Sequence, residues 1–597
     1  MPPKNSTTRS RGRKSAEKPE PALNKSTASI FKDGAAPIPS LDAPDATKQK
    51  RPVPQNPQEE RDLELELAGF PFNIIYRVQD FVSDNINVLK FVQLMVFAYI
   101  LEIIYLNRNE FEQLTENLFT IGFNFLGVSG AMILNYVKSK QTKKDIPEFN
   151  YLYATILPFV VNLIHYDKDW FLVNLTLNYL IVEKLNPVFR IFSAIGFYEV
   201  YNVSNEVTTF TFVQICVFHV LNSYVLDLIN EGKLTSILSV TNGENSEKEE
   251  TIDDEDYKTF TKTEIQMIGL LVVNLFFNKG FVAAYLPLAI FQKLLVSFIV
   301  AILALFQIYS YLPTIVVAVA FAGIFYGFTI FQLNYVLDGQ NAILWLYDYI
   351  FQDEEKVKIL QVWSAILVTS VSLVFTFTEK LSLNFRRKVW HFIIIAILGY
   401  SPKVLVDKVE FTLISLLGSI IIFLIVEVIR YNRFSPIGEY LNYKLRFFQD
   451  YKDSKGPLNV SYIYLIVGAT IPILYDYILI GAGKISIIRY MGIVALGLGD
   501  SLASIIGRRF GSLKWKGSEK SLQGTATFII VNFAAFVLID KYLTGLYPTS
   551  YQPIKKWENL FVSNLICGVL EGSSDLNDNF FIPILLPTVY ELLNRCY

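Results

Sequence analysis

Charge is the first thing this chain is short of. Asp, Glu, Lys and Arg make up 18% of its 597 residues, where a soluble domain carries about 25%. That shortfall excludes a globule bathed in water on all sides. Cysteine is nearly absent. Cys216, Cys567 and Cys596 lie in or beside apolar segments, which excludes a disulfide framework, suggests no metal cage and leaves the redox compartment open. Neither sign of charge dominates: the net value of −2 carries no information about anionic partners, and no nucleic-acid partner is expected. No short apolar stretch follows the basic N-terminus, so no cleavable signal peptide is expected and the first long apolar segment should act as an uncleaved anchor. No internal repeat is visible.

What the chain has instead is apolar length. Hydrophobic residues reach 52% and aromatics 15%, with a mean hydropathy of +0.35, a balance suited to lipid contact and interfacial belts. Residues 1–62 are a different polymer, rich in Pro, Ser, Lys and Ala. They cannot bury enough surface to offset chain entropy and read as a disordered cytosolic tail. From Asn85 onward apolar runs alternate with short polar connectors, and runs of roughly 15–25 residues cross about 30 Å of hydrocarbon as helices that satisfy their own backbone groups. The expected fold is all-α and polytopic, with about fifteen transmembrane helices. Spans are predicted near 87–106, 116–137, 151–165, 169–184, 207–229, 265–278, 281–308, 311–336 and 359–378. A C-terminal set follows near 388–402, 410–430, 460–481, 485–506, 523–543, 559–572 and 579–594, and 187–201 suits the interface. The domains expected are a tail (1–62), an N-terminal transmembrane bundle (63–378) and a C-terminal catalytic one (379–597).

Each span carries the chain to the opposite face, so parity sorts the connectors of the C-terminal set. The polar segments 379–391, 427–458, 497–520 and 571–578 fall on one face, and the modest loops 403–409, 481–484 and 544–558 on the other. The first face carries more than twice the Lys and Arg of the second, which orients it to the cytosol.

The densest polar signal on that face is Gly497-Leu-Gly499-Asp500-Ser-Leu-Ala-Ser504-Ile-Ile-Gly507-Arg508-Arg509-Phe-Gly511, followed by Lys514, Lys516, Lys520 and Gly524. Glycines admit a phosphate close to the backbone, Arg and Lys offset its charge, and a carboxylate among them holds a cation or takes a proton. A second reading fits the same spacing. Gly497, Asp500, Ser504, Gly507 and Gly511 also form the small-residue stripe of tightly packed membrane helices. That stripe needs neither Asp500, which sits near a span end where charge is costly, nor the basic residues after it.

Gly497-x-Gly-Asp500-x-x-Ala-Ser504-x-x-Gly507 with Lys516-Gly-Ser-x-Lys520-x-x-x-Gly524-Thr525 resembles the CTP-binding signature of dolichol kinases. Arg387-Lys388-x-x-His391, Glu427-x-x-Arg430 with Pro436 and Gly438, Asp450-x-x-Asp453-Ser454, and Asp578-Asn579 with Pro583 agree in order and spacing. The likeness covers roughly 380–597, while the N-terminal half shares only a long bundle of spans. The resemblance implies an endoplasmic reticulum enzyme, multi-pass and facing the cytosol, that phosphorylates dolichol or a similar polyprenol from CTP and so supplies the lipid carrier for glycosylation. It implies Gly497, Gly499, Ser504, Gly507, Gly511 and Gly524 around the phosphates, with Arg508, Lys514, Lys516 and Lys520 offsetting their charge. Asp500, His391, Arg387 and Lys388 would be catalytic. Asp500 and Asp578 would hold a divalent cation, Mg or Ca, with the role of Asp500 as ligand or base left open.

Plainer readings stand beside these. His391 begins a span and suits an interface; Glu427 and Arg430 lie one helical turn apart and suit a simple pair; Asp450 and Asp453 suit a solvated loop, and Asp578 a helix cap. A CTP-dependent diacylglycerol kinase is the nearest alternative activity. The His-Gly-Gly ending of phosphatidate cytidylyltransferases is absent. A polytopic transporter lined by Asp500 and His391 is the alternative of another class, although the chain shows no duplicated half.

Overall fold

A computed structural model describes residues 88–142, 150–165, 168–179, 187–201, 207–230, 259–306, 308–377, 383–449, 456–481, 483–516, 518–574 and 576–597. The tail 1–62, the acidic stretch 244–256 and the motif Asp450, Asp453, Ser454 lie outside the described residues.

The described chain is all-α and polytopic. Among the described residues nine helices are long and apolar enough to cross a bilayer: Val88–Leu106, Thr209–Asn230, Leu286–Leu305, Thr314–Val336, Glu354–Phe377, Val409–Tyr431, Ser461–Ile480, Ile488–Phe510 and Leu522–Leu546. Helices also stand at other predicted spans, among them Leu118–Thr142, Tyr151–His165, Leu383–Gly399, Trp557–Ser573 and Asp578–Cys596. The interfacial segment is a helix at Pro187–Tyr201. One apolar helix, Ala342–Phe351, was not expected. Ten residues reach only about 15 Å, too short for a reading based on spanning length.

Large apolar side chains face outward as well as inward, as lipid rather than water requires. Ile315 is 77% exposed and Ile530 66%, whereas Phe528, two residues from Ile530, is fully buried. The largest contiguous core among the described residues runs from Phe97 and Tyr153 through Leu413 and Ile473 to Leu593, and Gln79–Tyr597 forms one compact unit. Close approach of the central helices rests on missing side chains. A Cβ on Gly468 would stand 2.1 Å from the Asn579 carbonyl oxygen and 2.7 Å from Leu496 Cδ1, and one on Gly492 would stand 2.6 Å from the Gly468 carbonyl oxygen.

The loops that parity assigned to the plainer face do meet. Arg489, fully buried, donates through Nε to Asp476 at 2.7 Å, through Nη1 to the Leu405 carbonyl at 2.8 Å and through Nη2 to the Lys484 carbonyl at 3.0 Å. Ser486 donates from its backbone N–H to Asp476 at 3.1 Å. Ile485 and Gln552 close a short backbone bridge, with Ile485 N–H on Ser550 and Gln552 N–H on Ile485. The ion pair therefore holds two of these connectors, and the backbone bridge through Ile485 adds the third.

Removing one partner of such a pair strands the other charge, at a cost of about 3–5 kcal/mol, while replacing both by apolar groups is often neutral. Arg489→Met is expected to lower the melting temperature and folded yield sharply. Arg489→Met with Asp476→Leu is expected to recover most of the loss, as read by thermal denaturation in detergent. Equal loss in the single and double variants would contradict this account.

Candidate active site

The signature segment is not a loop. Ile488–Phe510 is one continuous helix, and its middle turns, Val494–Asp500, widen into a π-helix. Asp500 was expected near a span end, but the helix runs on to Phe510. The carboxylate therefore sits ten residues, or about 15 Å, inside the helix end. A carboxylate at that depth has to be paired or given up. Its partners come from Leu383–Gly399. Lys388 Nζ forms an ion pair with Asp500 Oδ2, and both side chains are nearly buried, at 12% and 11% exposure. His391 Nδ1 lies 3.5 Å from the same oxygen and 2.8 Å from the Leu496 carbonyl oxygen. With the proton on Nδ1 it donates to Leu496, and Nε2 keeps its lone pair.

Lys520 builds the second half of the site. Residues 513–522 fold back as a tight hairpin, with the Trp515 N–H on the Lys520 carbonyl at 3.0 Å and the Leu522 N–H on the Leu513 carbonyl at 2.8 Å. Trp515 Nε1 donates to Thr525 at 3.0 Å, and Gly572 leaves room for that indole. The hairpin turns Lys520 inward. Its Nζ donates to Glu571 Oε1 at 2.6 Å and to the Glu571 carbonyl at 2.9 Å, and it stands 3.5 Å from Asp578 Oδ2. Burial alone would lower the ammonium's pKa. The carboxylates of Asp578 and Glu571, with Asp500 behind them, outweigh burial and raise it above the ordinary lysine value. Two lysines and three carboxylates thus come from five separate segments.

The remaining expected residues fall into two groups. Arg508, Lys514 and Lys516 are exposed at the helix end and hairpin, and none of the three forms an ion pair with a described residue. Arg387 lies on the same helix as Lys388, half-buried. The glycines make helix contacts. A Cβ on Gly497 would stand 2.3 Å from Ile395 Cγ1, one on Gly499 2.4 Å from Asn532 Oδ1, and one on Gly507 2.7 Å from Ser521 Oγ. Gly511 ends the helix against Gly507 and Ser521, and Gly524 packs on Ala503 and Ser521. Ser504 is half-buried on the same helix. The stripe is therefore a packing seam that sets the distance between helices bearing charged groups.

Glu427 and Arg430 are more than a neighbourly pair. The guanidinium is bidentate on the carboxylate at 2.9 and 2.5 Å. Arg430 also donates to Asn442 and Pro457, and Glu427 accepts from the Asn459 N–H and the Tyr462 hydroxyl. The pair locks the segment entering Ser461–Ile480.

Three contributors escaped the sequence reading. Glu571 ends an apolar helix and appeared only as part of a polar connector, yet it is the principal partner of Lys520. Gln93 donates to the Ser573 carbonyl at 2.6 Å, and Tyr153 to the Leu570 carbonyl at 3.2 Å. Two N-terminal helices therefore brace the turn that carries Glu571. Their one sequence signal is a polar atom inside an apolar run, a weak sign among so many.

A divalent cation would enter a site with limited protein ligation. Among the described residues no group of three His, Cys, Asp or Glu is gathered to hold one. Mg²⁺ is commonly held by one or two carboxylates together with substrate phosphates, and Asp500 and Asp578 suit that arrangement once a nucleotide shares the ligation.

Comparison with known proteins supports the resemblance drawn from the motifs. The family described as "Dolichol kinase N-terminal domain" matches residues 44–241. The N-terminal part thus carries a family likeness of its own, beyond the mere bundle of spans expected for it. The chain is 38% identical over 259 residues to dolichol kinase of Saccharomyces cerevisiae, covering 43% of this chain and 46% of that protein. It is 34% identical over 271 residues to dolichol kinase sec59 of Schizosaccharomyces pombe, covering 43% and 51%. With dolichol kinase of Homo sapiens it shares 29% over 262 residues, covering 41% and 47%. The chain spans about half the length of the curated relatives it matches. No solved structure matches.

Packing and phosphate approach make different demands on Gly497, and a compensating pair separates them. Gly497→Ala is expected to cost about 1–3 kcal/mol through overpacking, and Ile395→Ala in the same chain to restore much of the folded yield. A Gly497→Ala chain that folds at parental yield but loses nucleotide binding would assign the glycine to the phosphates instead.

Proposed function

We propose that this chain is a membrane lipid kinase that transfers the terminal phosphate of CTP to dolichol or a similar polyprenol. The reading places it in the endoplasmic reticulum membrane, with the site facing the cytosol and the product serving glycosylation. The observation that carries it is that Lys388–Asp500 lies near enough to Lys520–Glu571–Asp578 for the Asp500 charge to act on Lys520, because both motifs of the CTP-type signature then contribute to one cluster. The relatives' names support dolichol as acceptor, and the signature itself supports CTP.

Exposed Lys514, Lys516 and Arg508 receive the triphosphate at the helix end and hairpin, where positive charge is uncommitted among the described residues. Lys520 and Lys388 are held inward by their carboxylates and meet charge as it develops. The lipid hydroxyl oxygen attacks the γ-phosphorus, the β–γ bridging bond breaks, and CDP leaves. The hydroxyl proton passes to a carboxylate or imidazole of the cluster, of which Asp500 and His391 are the placed groups. Asp500 and Asp578 would hold a divalent cation accompanying the nucleotide, which would supply neutralisation of phosphate charge. Positioning and charge neutralisation supply most of the rate in such transfers. A diacylglycerol acceptor is the alternative, and comparison of the two lipids in a CTP assay decides it.

Asp500→Asn tests the assignment. The change is nearly isosteric, so the seam around Gly497 and Gly499 is kept, and the rate per folded molecule is expected to fall at least about a hundredfold. Partial recovery at raised divalent cation marks Asp500 as chiefly a ligand. Near-parental turnover in a well-folded variant would sink the site. Lys516→Ala separates recognition from structure: it is expected to weaken CTP use by about 1.5–3 kcal/mol at unchanged melting temperature. Lys520→Ala is expected to lower both. For orientation, a single cysteine replacing Lys516 is expected to react with an impermeant thiol reagent in sealed right-side-out microsomes, while one in 544–558 stays protected. The reverse pattern would overturn the cytosolic placement.

A further inference from the structure

A cavity of about 1160 Å³ runs along Ser461–Ile480, and its walls are almost wholly apolar. Six of its side chains define it: Leu295, Phe298, Phe321, Leu424, Val467 and Leu474. They come from both halves of the chain. On one helix alone the lining runs from Val460 to Ile478, about 27 Å of rise, which is nearly the full hydrocarbon thickness. One end lies at Glu427 and Pro457, and the other at His165 and Tyr475.

We infer that this chamber seats the long apolar chain of a neutral-headed lipid, a polyisoprenoid alcohol, and that its mouth disfavours anionic phospholipids. Among the described lining residues Glu427 is the one carboxylate or cation. Its neighbour Arg430 is committed to Glu427, Asn442 and Pro457. A phosphate headgroup would therefore meet a carboxylate whose own cation is already engaged, and pay desolvation without a counter-charge. An uncharged alcohol meets no such penalty. The chamber also approaches the cluster along the chain. Tyr464 and Phe580 both line it and stack at 5.2 Å between ring centroids, and Phe580 stands two residues after Asp578 on the same first helical turn. The identity of the occupant rests on the polyprenol kinase reading; the chamber's depth, apolarity and charge do not.

The test uses the full chain in phosphatidylcholine nanodiscs with a C55 polyprenol carrying a diazirine at the end remote from its hydroxyl. Without any nucleotide, light is expected to label peptides bearing Leu295, Phe321, Leu424 or Val467. Unlabelled polyprenol is expected to compete, and phosphatidate and diacylglycerol are not. Val467→Trp and Leu424→Trp, which fill the chamber, are expected to lower labelling at least tenfold, and Ile315→Trp on the outward face to keep it. If the tryptophan variants fail to fold, Val467→Met provides the smaller filling and is expected to lower labelling in proportion. Labelling spread over the outward faces would overturn the chamber, as would equal displacement by phosphatidate. Equal displacement by diacylglycerol would overturn the polyisoprenoid as its occupant. Labelling within the chamber by a chain that transfers no phosphate from CTP would remove the kinase reading and leave the lipid site standing. Phosphorylation of polyprenol with labelling elsewhere would do the reverse.

Discussion

A charge held among apolar helices has to find its opposite, and three pairs in the described bundle show how that demand is met. Arg489 meets Asp476 at one end, Arg430 meets Glu427 at the other, and Lys388 meets Asp500 between helices in the middle. The two arginine pairs share a logic. Each guanidinium uses its planar fork on several acceptors at once and ties loops together, so each fixes geometry. The lysine pairs differ in kind. An ammonium is a point charge that moves to a new partner without surrendering a bidentate fit. The carboxylates of the candidate site, Asp500, Glu571 and Asp578, are all answered by lysine. Fixed pairs use arginine here, and exchangeable ones use lysine.

That division explains what the sequence could and could not disclose. Helix positions were readable because apolar length is a one-dimensional property, and the predicted 151–165 and 187–201 match the helices to the residue. The meeting of loops 403–409, 481–484 and 544–558 was readable because parity is also one-dimensional. Asp500, Lys388, His391 and Lys520 stood out as polar residues in or beside apolar runs. Pairings across space were another matter. Nothing along the chain joins Gln93 to Ser573, or says that Arg489 and Asp476 find each other rather than lying in an interface. The glycines were ambiguous for a physical reason: a residue without a side chain suits a bound phosphate and a neighbouring helix equally. Here Ile395 and Asn532 fill the space left by Gly497 and Gly499.

The braces from the N-terminal helices give that half of the chain a structural part in the site. Gln93 and Tyr153 hold the turn bearing Glu571, and Tyr153 packs edge-on against Phe581 with 5.5 Å between ring centroids. The helices that carry the signature are thus finished by helices that lack it.

The π-helical turn at Val494–Asp500 makes the site depend on a count as well as on residue types. A widened turn accommodates one residue more than a regular helix would over the same rise, and each residue advances the helix by about 100°. The facing of Asp500 toward Lys388, and of the Leu496 carbonyl toward His391, is phased by that extra residue relative to the half of the helix anchored at Arg489. Were the same residues wound as a regular helix, everything beyond 494–500 would swing through more than a quarter turn. Arg489 would stay clamped and every signature residue could still be present in order, yet the carboxylate would face another neighbour. A substitution here alters one contact, whereas a change in the winding of this turn alters the phase of the whole motif.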